Sequence, residues 1–321
     1  MIRRFSAGLL AAATLAVAPV AVQAQKYPNA PVSVVIPLAA GDGGDTALRA
    51  MADDLGRQLQ GSFVVSNRPG AGGSLGVQNV IAAKKDGYTL LFTQNSPLTI
   101  RKVLDPQAAS YDPLKDLIPL GVTTRTPSIL VVRKDAPFNT FQEMIAHAKR
   151  SPGSVRIGHP GPGSNGDLSV QIINSQAGVD ITAIPYKGAA PAVTDALGGQ
   201  VDGVILALGA VSAHMKSGAF KPLAISSRYP ELPDVPTLSK LGYKQDLMGI
   251  WFGFFAPAGT PADVVQALVP AIQKATENPA IAQRLLPLGI VQDFDAPATV
   301  AAAINAETAA VTELNQRMQK K

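Results

Sequence analysis

From Tyr27 onward, short β-branched runs alternate with stretches whose apolar residues recur every three or four positions. Residues 32–38 form the first such run and predict a strand. Residues 45–59 follow as a helix, with Leu48, Met51, Leu55 and Leu59 on one face. Strand, helix and strand continue at 63–65, 74–84 and 88–93, the pattern of a parallel sheet with crossover helices. The theme then repeats, with strands at 128–132, 155–158, 181–185, 203–208 and 222–226. Helices are predicted at 140–149, opened by a Thr140/Glu143 capping box, at 164–177 and at 191–197. Past a proline-rich, strand-poor stretch (229–237), residues 251–256 predict one more strand. Trp251, Phe252, Phe254 and Phe255 alternate across its two faces, so about half of them should enter a core, Trp251 included. Three helices close the chain, the first two opened by Thr260-Pro261 and Asn278-Pro279 and the third spanning 297–319.

Two α/β units with a helical tail predict two lobes joined by more than one crossing, near 122–127 and 249–252, with the tail packed back on the first lobe. The lobes would be residues 25–124 with 253–321, and residues 125–252. No period of 20 to 50 residues indicates a solenoid.

The N-terminus changes the picture. Arg3 and Arg4 precede a charge-free apolar run over 9–22, and Val22-Gln23-Ala24 places small residues where a signal peptidase cuts. A membrane anchor is the alternative, but the run is shorter than the roughly 20 residues a bilayer requires. Residues 1–24 are therefore expected to be removed, leaving a soluble, exported chain. Of the 321 residues 46% are hydrophobic, ample for two cores, and none is cysteine. That excludes disulfides, thiolate metal sites, a cysteine nucleophile and a lipid-modified N-terminal cysteine, and it fits a bacterial periplasm. The net charge of +5 falls to +3 once Arg3 and Arg4 leave. The basic residues are scattered, without the clustered patch and interleaved aromatics of a nucleic-acid surface.

In an open α/β sheet, ligands bind beyond the carboxyl ends of the strands. There this chain places Ala39-Ala40-Gly41-Asp42-Gly43-Gly44-Asp45, then Asn67-Arg68-Pro69-Gly70-Ala71-Gly72-Gly73-Ser74, then Gln94-Asn95-Ser96-Pro97. The second unit offers Gly158-His159-Pro160-Gly161-Pro162-Gly163-Ser164-Asn165 at the equivalent position. Glycine loops before helix starts let main-chain amides approach an anion, so a carboxylate can be held there without arginine. Turn chemistry alone also selects glycine: Asp45 can cap its helix, and Ser164 with Asp167 makes a capping pair. Several such loops at corresponding strand ends favour a cleft.

Other motifs carry less. Gly72-Gly73-Ser74-Leu75-Gly76 matches the nucleophile elbow, but Pro69 and a glycine run separate it from its strand. Gly161-Pro162-Gly163-Ser164-Asn165-Gly166, with Asp180 beyond it, matches a dinucleotide fingerprint, but not at the first βα turn. His147, His159 and His214 lie too far apart in sequence for a metal motif. No catalytic residue, metal or cofactor is expected.

An ordered series of motifs spans the mature chain: Tyr27-Pro28-x-x-Pro31, Val34-Val35-Ile36-Pro37, the glycine loop ending at Asp45, and Asn67-Arg68-Pro69-Gly70-Ala71-Gly72-Gly73. It continues with Asp86-Gly87-Tyr88-Thr89-Leu90-Leu91, Tyr111-Asp112-Pro113-Leu114-Lys115-Asp116, Pro185-Tyr186-Lys187-Gly188 and Gly198-Gly199-Gln200-Val201-Asp202. Leu232-Pro233-Asp234-Val235-Pro236-Thr237 and Phe255-Ala256-Pro257-Ala258-Gly259-Thr260-Pro261 close it. Together they resemble the substrate-binding proteins of tripartite tricarboxylate transporters, the Bug receptors.

The resemblance implies a periplasmic Venus-flytrap protein of the type II-like binding-protein architecture. It would be a monomer delivering a small mono-, di- or tricarboxylate, aromatic ones included, to a permease of one large and one small membrane subunit. It implies ligand contacts at Ala39, Gly41, Gly43, Ala71, Gly72 and Gly73 in the first lobe. In the second it implies Gly163, Ser164, the region of Tyr186 and Lys187, and Asp202 and Ala207 behind. Asp42 and Asp167 depart from it, standing where many relatives carry an uncharged residue and histidine respectively. Each is expected either to point outward or to meet a donor on the ligand. Gln94 and Asn95 also depart from the smaller residues common there and are kept as candidate contacts. Two other roles share the same loops, a sensory receptor presenting its ligand to a sensor kinase and an exported serine hydrolase using Ser74.

Overall fold

The computed structural model describes residues 27–319, so the export segment expected over 1–24 lies outside the described residues. The chain begins as read: β1 (Val32–Ile36), α1 (Gly43–Leu59), β2 (Phe63–Asn67), α2 (Ser74–Ile81) and β3 (Thr89–Gln94). The three strands pair in parallel, with β1 in the middle. Short helices α3 (Asn95–Leu98), α4 (Ile100–Leu104) and α5 (Pro113–Asp116) then lead into β4 (Leu117–Thr126). Residues 122–127 were expected only as a crossing; most of them instead end a ten-residue strand.

Pro127 alone separates β4 from β5 (Ser128–Arg133), and with it the chain passes into a second sheet. There follow α6 (Phe141–Arg150), β6 (Arg156–His159), α7 (Asn165–Ala177), β7 (Thr182–Pro185), α8 (Ala189–Leu197), β8 (Gly203–Ala207), α9 (Leu208–Lys216) and β9 (Phe220–Ile225). The chain returns to the first sheet with β10 (Ile250–Pro257). It ends through α10 (Ala262–Thr276), α11 (Pro279–Leu285), β11 (Val291–Asp295) and α12 (Pro297–Gln319).

The first sheet runs β11-β4-β10-β3-β1-β2 and the second β7-β6-β8-β5-β9. Neither is wholly parallel. β10 lies antiparallel to both β3 and β4, and β5 antiparallel to both β8 and β9. The strands that change sheets account for this, because each enters from the opposite end to the βαβ strands beside it. The result is an α/β fold of two units, each built on its own mixed sheet and linked by two changes of sheet.

Each sheet is covered on both faces. Phe252 and Phe254 of β10 join Val34, Leu48 and Phe92 on one side, while Trp251 and Phe255 join Val35, Val77 and Val300 on the other. All four aromatics are therefore buried, not half of them. The tail also departs from expectation. α12 lays Val300 and Ile304 against the first sheet's core, then Val311 and Leu314 against the second's, so it straddles both units.

Candidate functional site

The first glycine loop leaves β1 and enters α1 two residues earlier than predicted. Asp42, not Asp45, caps the helix: its Oδ1 accepts from the Gly44 amide at 3.0 Å. Asp45 is buried, and its Oδ2 accepts from the Gly41 amide at 2.9 Å and from Arg49 Nε at 3.0 Å, while Oδ1 accepts from Asn67 Nδ2 at 2.9 Å. Burial works against ionisation of Asp45, but the donors from Arg49, Gly41 and Asn67 prevail and hold its carboxyl below the usual range.

The second unit repeats this device. Ser164 caps α7 by accepting from the Asp167 amide at 3.1 Å. Asp167 turns its Oδ2 back to the Gly163 amide at 2.8 Å, and its Oδ1 accepts from Gln171 Nε2 at 2.8 Å. In both units a glycine amide is answered by an aspartate four residues later, itself held by a side chain four residues further on. The amides of Gly41, Gly44 and Gly163 are thus engaged by carboxylates of the protein itself. Gly43, Ala71 and Gly72 carry amides that none of these aspartates engages. Asp42 and Asp167, the two departures, are both turned onto their own helix starts.

His159 ends β6 beside this loop, with Nδ1 3.1 Å from the Gly161 carbonyl and Nε2 4.0 Å from Asp167. Burial lowers its pKa, against the opposing pull of Asp167 and of the Gly161 carbonyl.

The Ala71-Gly72-Gly73 turn opens α2 with backbone in the left-handed region, φ +47° at Ala71 and +61° at Gly72. Over it lies Arg101, a residue the sequence reading passed by. A Cβ on Gly72 would fall 2.4 Å from Arg101 Cδ and 2.8 Å from its Nε; one on Gly163 would fall 3.0 Å from Arg101 Cγ. The Arg101 side chain therefore runs between the two glycine loops, one from each unit. Its Nη1 donates to the Pro162 carbonyl at 2.8 Å and its Nη2 to Asp105 at 2.5 Å. Only 9% of Arg101 is exposed, and its buried Nε finds no hydrogen-bond partner among the described residues.

Beside Arg101 the units meet again. Ser96 Oγ donates to the Gly163 carbonyl at 2.5 Å. Gly249, where the chain returns to the first sheet, accepts from Asn95 at 3.1 Å and from Asn165 at 2.6 Å, one residue from each side. Asn95 also donates to Glu307 Oε2 on α12, as does Thr99, each at 3.2 Å, while Trp251 Nε1 donates to Glu307 Oε1 at 2.6 Å. Asn95, expected as a ligand contact, is fully buried in this junction.

The remaining predicted residues divide. Ala39 is exposed on the first loop, Gly73 is buried under Pro97, and Gln94 ends β3 opposite Phe252. Ala207 caps α9 at the carboxyl end of β8. Tyr186 packs against Gly158 and donates its hydroxyl to Asp195 at 2.9 Å; Lys187 is exposed beside it. Asp202 sits elsewhere. It precedes β8, where its carboxylate accepts from the Arg156 amide at 2.8 Å, so the length of the sheet separates it from the loops. Ser74 is fully buried and accepts from the Tyr111 hydroxyl at 3.4 Å. A separate cavity of about 310 Å³ opens between α9 and residues 287–289, with mainly apolar walls and none of the predicted ligand contacts.

Two α/β sheets whose carboxyl-end loops face one another across a seam have the layout of a two-lobed solute-binding protein. The comparisons place the chain within that class. Residues 47–309 match the model of the tripartite tricarboxylate transporter family receptor. BugT of Bordetella pertussis is 35% identical, over 82% of this chain and 81% of that protein. Among solved structures, R. palustris Rpa4515 with adipate is 29% identical with a TM-score of 0.81, over 90% of this chain and 97% of that one. MatC from Rhodopseudomonas palustris with bound malate is 30% identical with a TM-score of 0.79, over 90% and 99%. The chain belongs to the tripartite tricarboxylate transporter receptor family, the Bug receptors.

Proposed function

We propose that this receptor is exported to the periplasm, where it acts as a monomer that captures a small carboxylate and performs no chemistry on it. It hands the ligand to a membrane permease of one large and one small subunit. Its lobes, residues 25–124 with 253–321 and residues 125–252, hinge about the Gly249 junction. The ligand is held by the 39–43 and 71–73 loops on one side and by the 163–164 loop on the other, with Tyr186, Lys187 and Ala207 at the margin.

The observation that carries this reading is the seam itself, with glycine loops of both sheets converging on one arginine side chain. Adipate and malate, bound by two structural relatives, supply the ligand class. Closure follows only if the ligand makes better contacts in the closed state than in the open one.

The test is a thermal-shift screen of mono-, di- and tricarboxylates against the mature protein. At about a hundredfold excess over Kd, a ligand specific for the folded state stabilises it by about 2.7 kcal/mol, a shift of several degrees. A flat response across the carboxylates, with a shift produced by sugars or cationic solutes instead, contradicts the reading. Mature protein recovered from the periplasm should begin at Gln25, which N-terminal sequencing reads directly.

A further inference from the structure

We propose that Arg101 is the residue that sets the receptor's selectivity for anions, and that the ligand's anionic group pairs with its guanidinium at Nε. This rests on the reading of the cleft as a carboxylate site and deepens it.

Three observations carry the inference. The first is the orphaned donor. A cation that is nine-tenths buried is costly unless its hydrogen bonds are met. Pro162 and Asp105 meet Nη1 and Nη2, and Nε is left without an acceptor among the described residues. The second is placement. Glycine stands in both loops where a Cβ would strike this side chain, so each lobe has shaped itself around Arg101 at the centre of the seam.

The third is charge. Asp42, Asp45 and Asp167 already engage the Gly44, Gly41 and Gly163 amides. Asp45 is balanced by Arg49, but Asp42 and Asp167 accept only from neutral donors, the Gly44 and Gly163 amides and Gln171, so each loop keeps a carboxylate beside which an incoming anion needs a cation. Arg101 is that cation, and a carboxylate accepting from a guanidinium makes one of the stronger hydrogen bonds available to a protein. α4 packs Ile100, Val103 and Leu104 on the second sheet's core, and Nη1 donates to the Pro162 carbonyl of that unit, while Gly72 of the first unit lies against Cδ and Nε; a ligand held at Nε therefore sits where the two units meet on one side chain.

Asp105 competes for this charge and gives the test its sign. Adipate and malate binding is measured by calorimetry for the wild-type mature protein and for Arg101→Gln, Arg101→Lys and Asp105→Asn. Loss of a charged hydrogen bond predicts that Arg101→Gln weakens binding of the dianions by at least about tenfold. Arg101→Lys recovers part of that loss, and Asp105→Asn, which frees the guanidinium, tightens binding several-fold. Melting temperatures of the free variants near the wild-type value assign these effects to the ligand. Arg101→Gln with wild-type affinity overturns the inference while leaving the carboxylate reading in place. So does parallel weakening in Arg101→Gln and Asp105→Asn, the result expected of an arginine that only props the lobes. A wild-type protein that binds neither adipate nor malate nor any carboxylate of the screen overturns the receptor reading and this inference together.

Discussion

Asp45 shows how one side chain can be read correctly as belonging to a loop and wrongly as to its task. Its position before an apolar face suggested a cap. The cap is Asp42, and Asp45 instead ties the Gly41 amide, Arg49 and Asn67 into one buried knot. Its carboxyl is held below the usual range, so the stability it contributes is present above the ordinary carboxylate pKa and lost as pH falls through the lowered value. Asp45→Asn should therefore cost about 1.5–3 kcal/mol at neutral pH, the range for hydrogen bonds to charged groups, with the deficit shrinking in acid. Urea unfolding at several pH values measures this; a deficit independent of pH contradicts it. Gly72 makes a second residue-scale case. Its φ of +61° costs roughly 1–2 kcal/mol for a residue with a Cβ, and that Cβ would press on Arg101. Gly72→Ala should thus lose carboxylate binding by more than it loses stability, comparing calorimetry with the melting temperature. Equal losses would mean that the loop matters only for folding. None of this was legible for Arg101, which sits in the sequence beside Lys102 as one of two adjacent cations in a short, otherwise largely apolar stretch; only the fold sets it between Gly72 and Gly163.

At the scale of elements, the alternating βα units were legible because their periods are clean. β1 reads as a continuous β-branched run and α1 as an apolar stripe, and both appear where expected. β4 was not legible as a strand, since Pro119, Gly121 and Arg125 interrupt its pattern, yet β10 on one side and β11 on the other hold it in place. β11 is a half-exposed edge strand of five residues with two aspartates, and its pairing with β4 owes much to Arg125, which bonds Asp293 at 2.6 Å and also Asp295. Tertiary pairing overrides weak local preference in both. The junction of α12 with β10 and α3 was equally invisible, because Glu307 lies 56 residues from Trp251 and 212 from Asn95. Burial raises the Glu307 pKa, and the donors from Trp251, Asn95 and Thr99 offset this only in part. A raised carboxyl contributes stability that is fully present below the ordinary carboxylate pKa and lost as pH rises through the raised one. The stability of wild type relative to Glu307→Gln should accordingly decline as pH rises from the ordinary carboxylate range through the raised pKa. A difference that is constant across that interval, measured by urea unfolding, contradicts the assignment.

For the whole molecule, the two-unit architecture and the family were legible from the order of motifs, and the comparisons bear both out. The mixed direction of the sheets was not, because β5 and β10, the strands that enter each sheet from the other, run antiparallel to both of their neighbours. The same changes of sheet create the seam, and at the seam the simple picture of bare amides awaiting an anion gives way. Aspartates of the chain answer several of those amides, and an arginine supplies the positive charge. The account then stands on where a carboxylate sits. A crystal structure of the mature protein with whichever carboxylate stabilises it most tests this directly. The carboxylate is predicted between the 71–73 loop and the 161–164 loop, with an oxygen within hydrogen-bond reach of Arg101 Nε. A carboxylate bound outside this seam, in the cavity beside α9 for example, would contradict it.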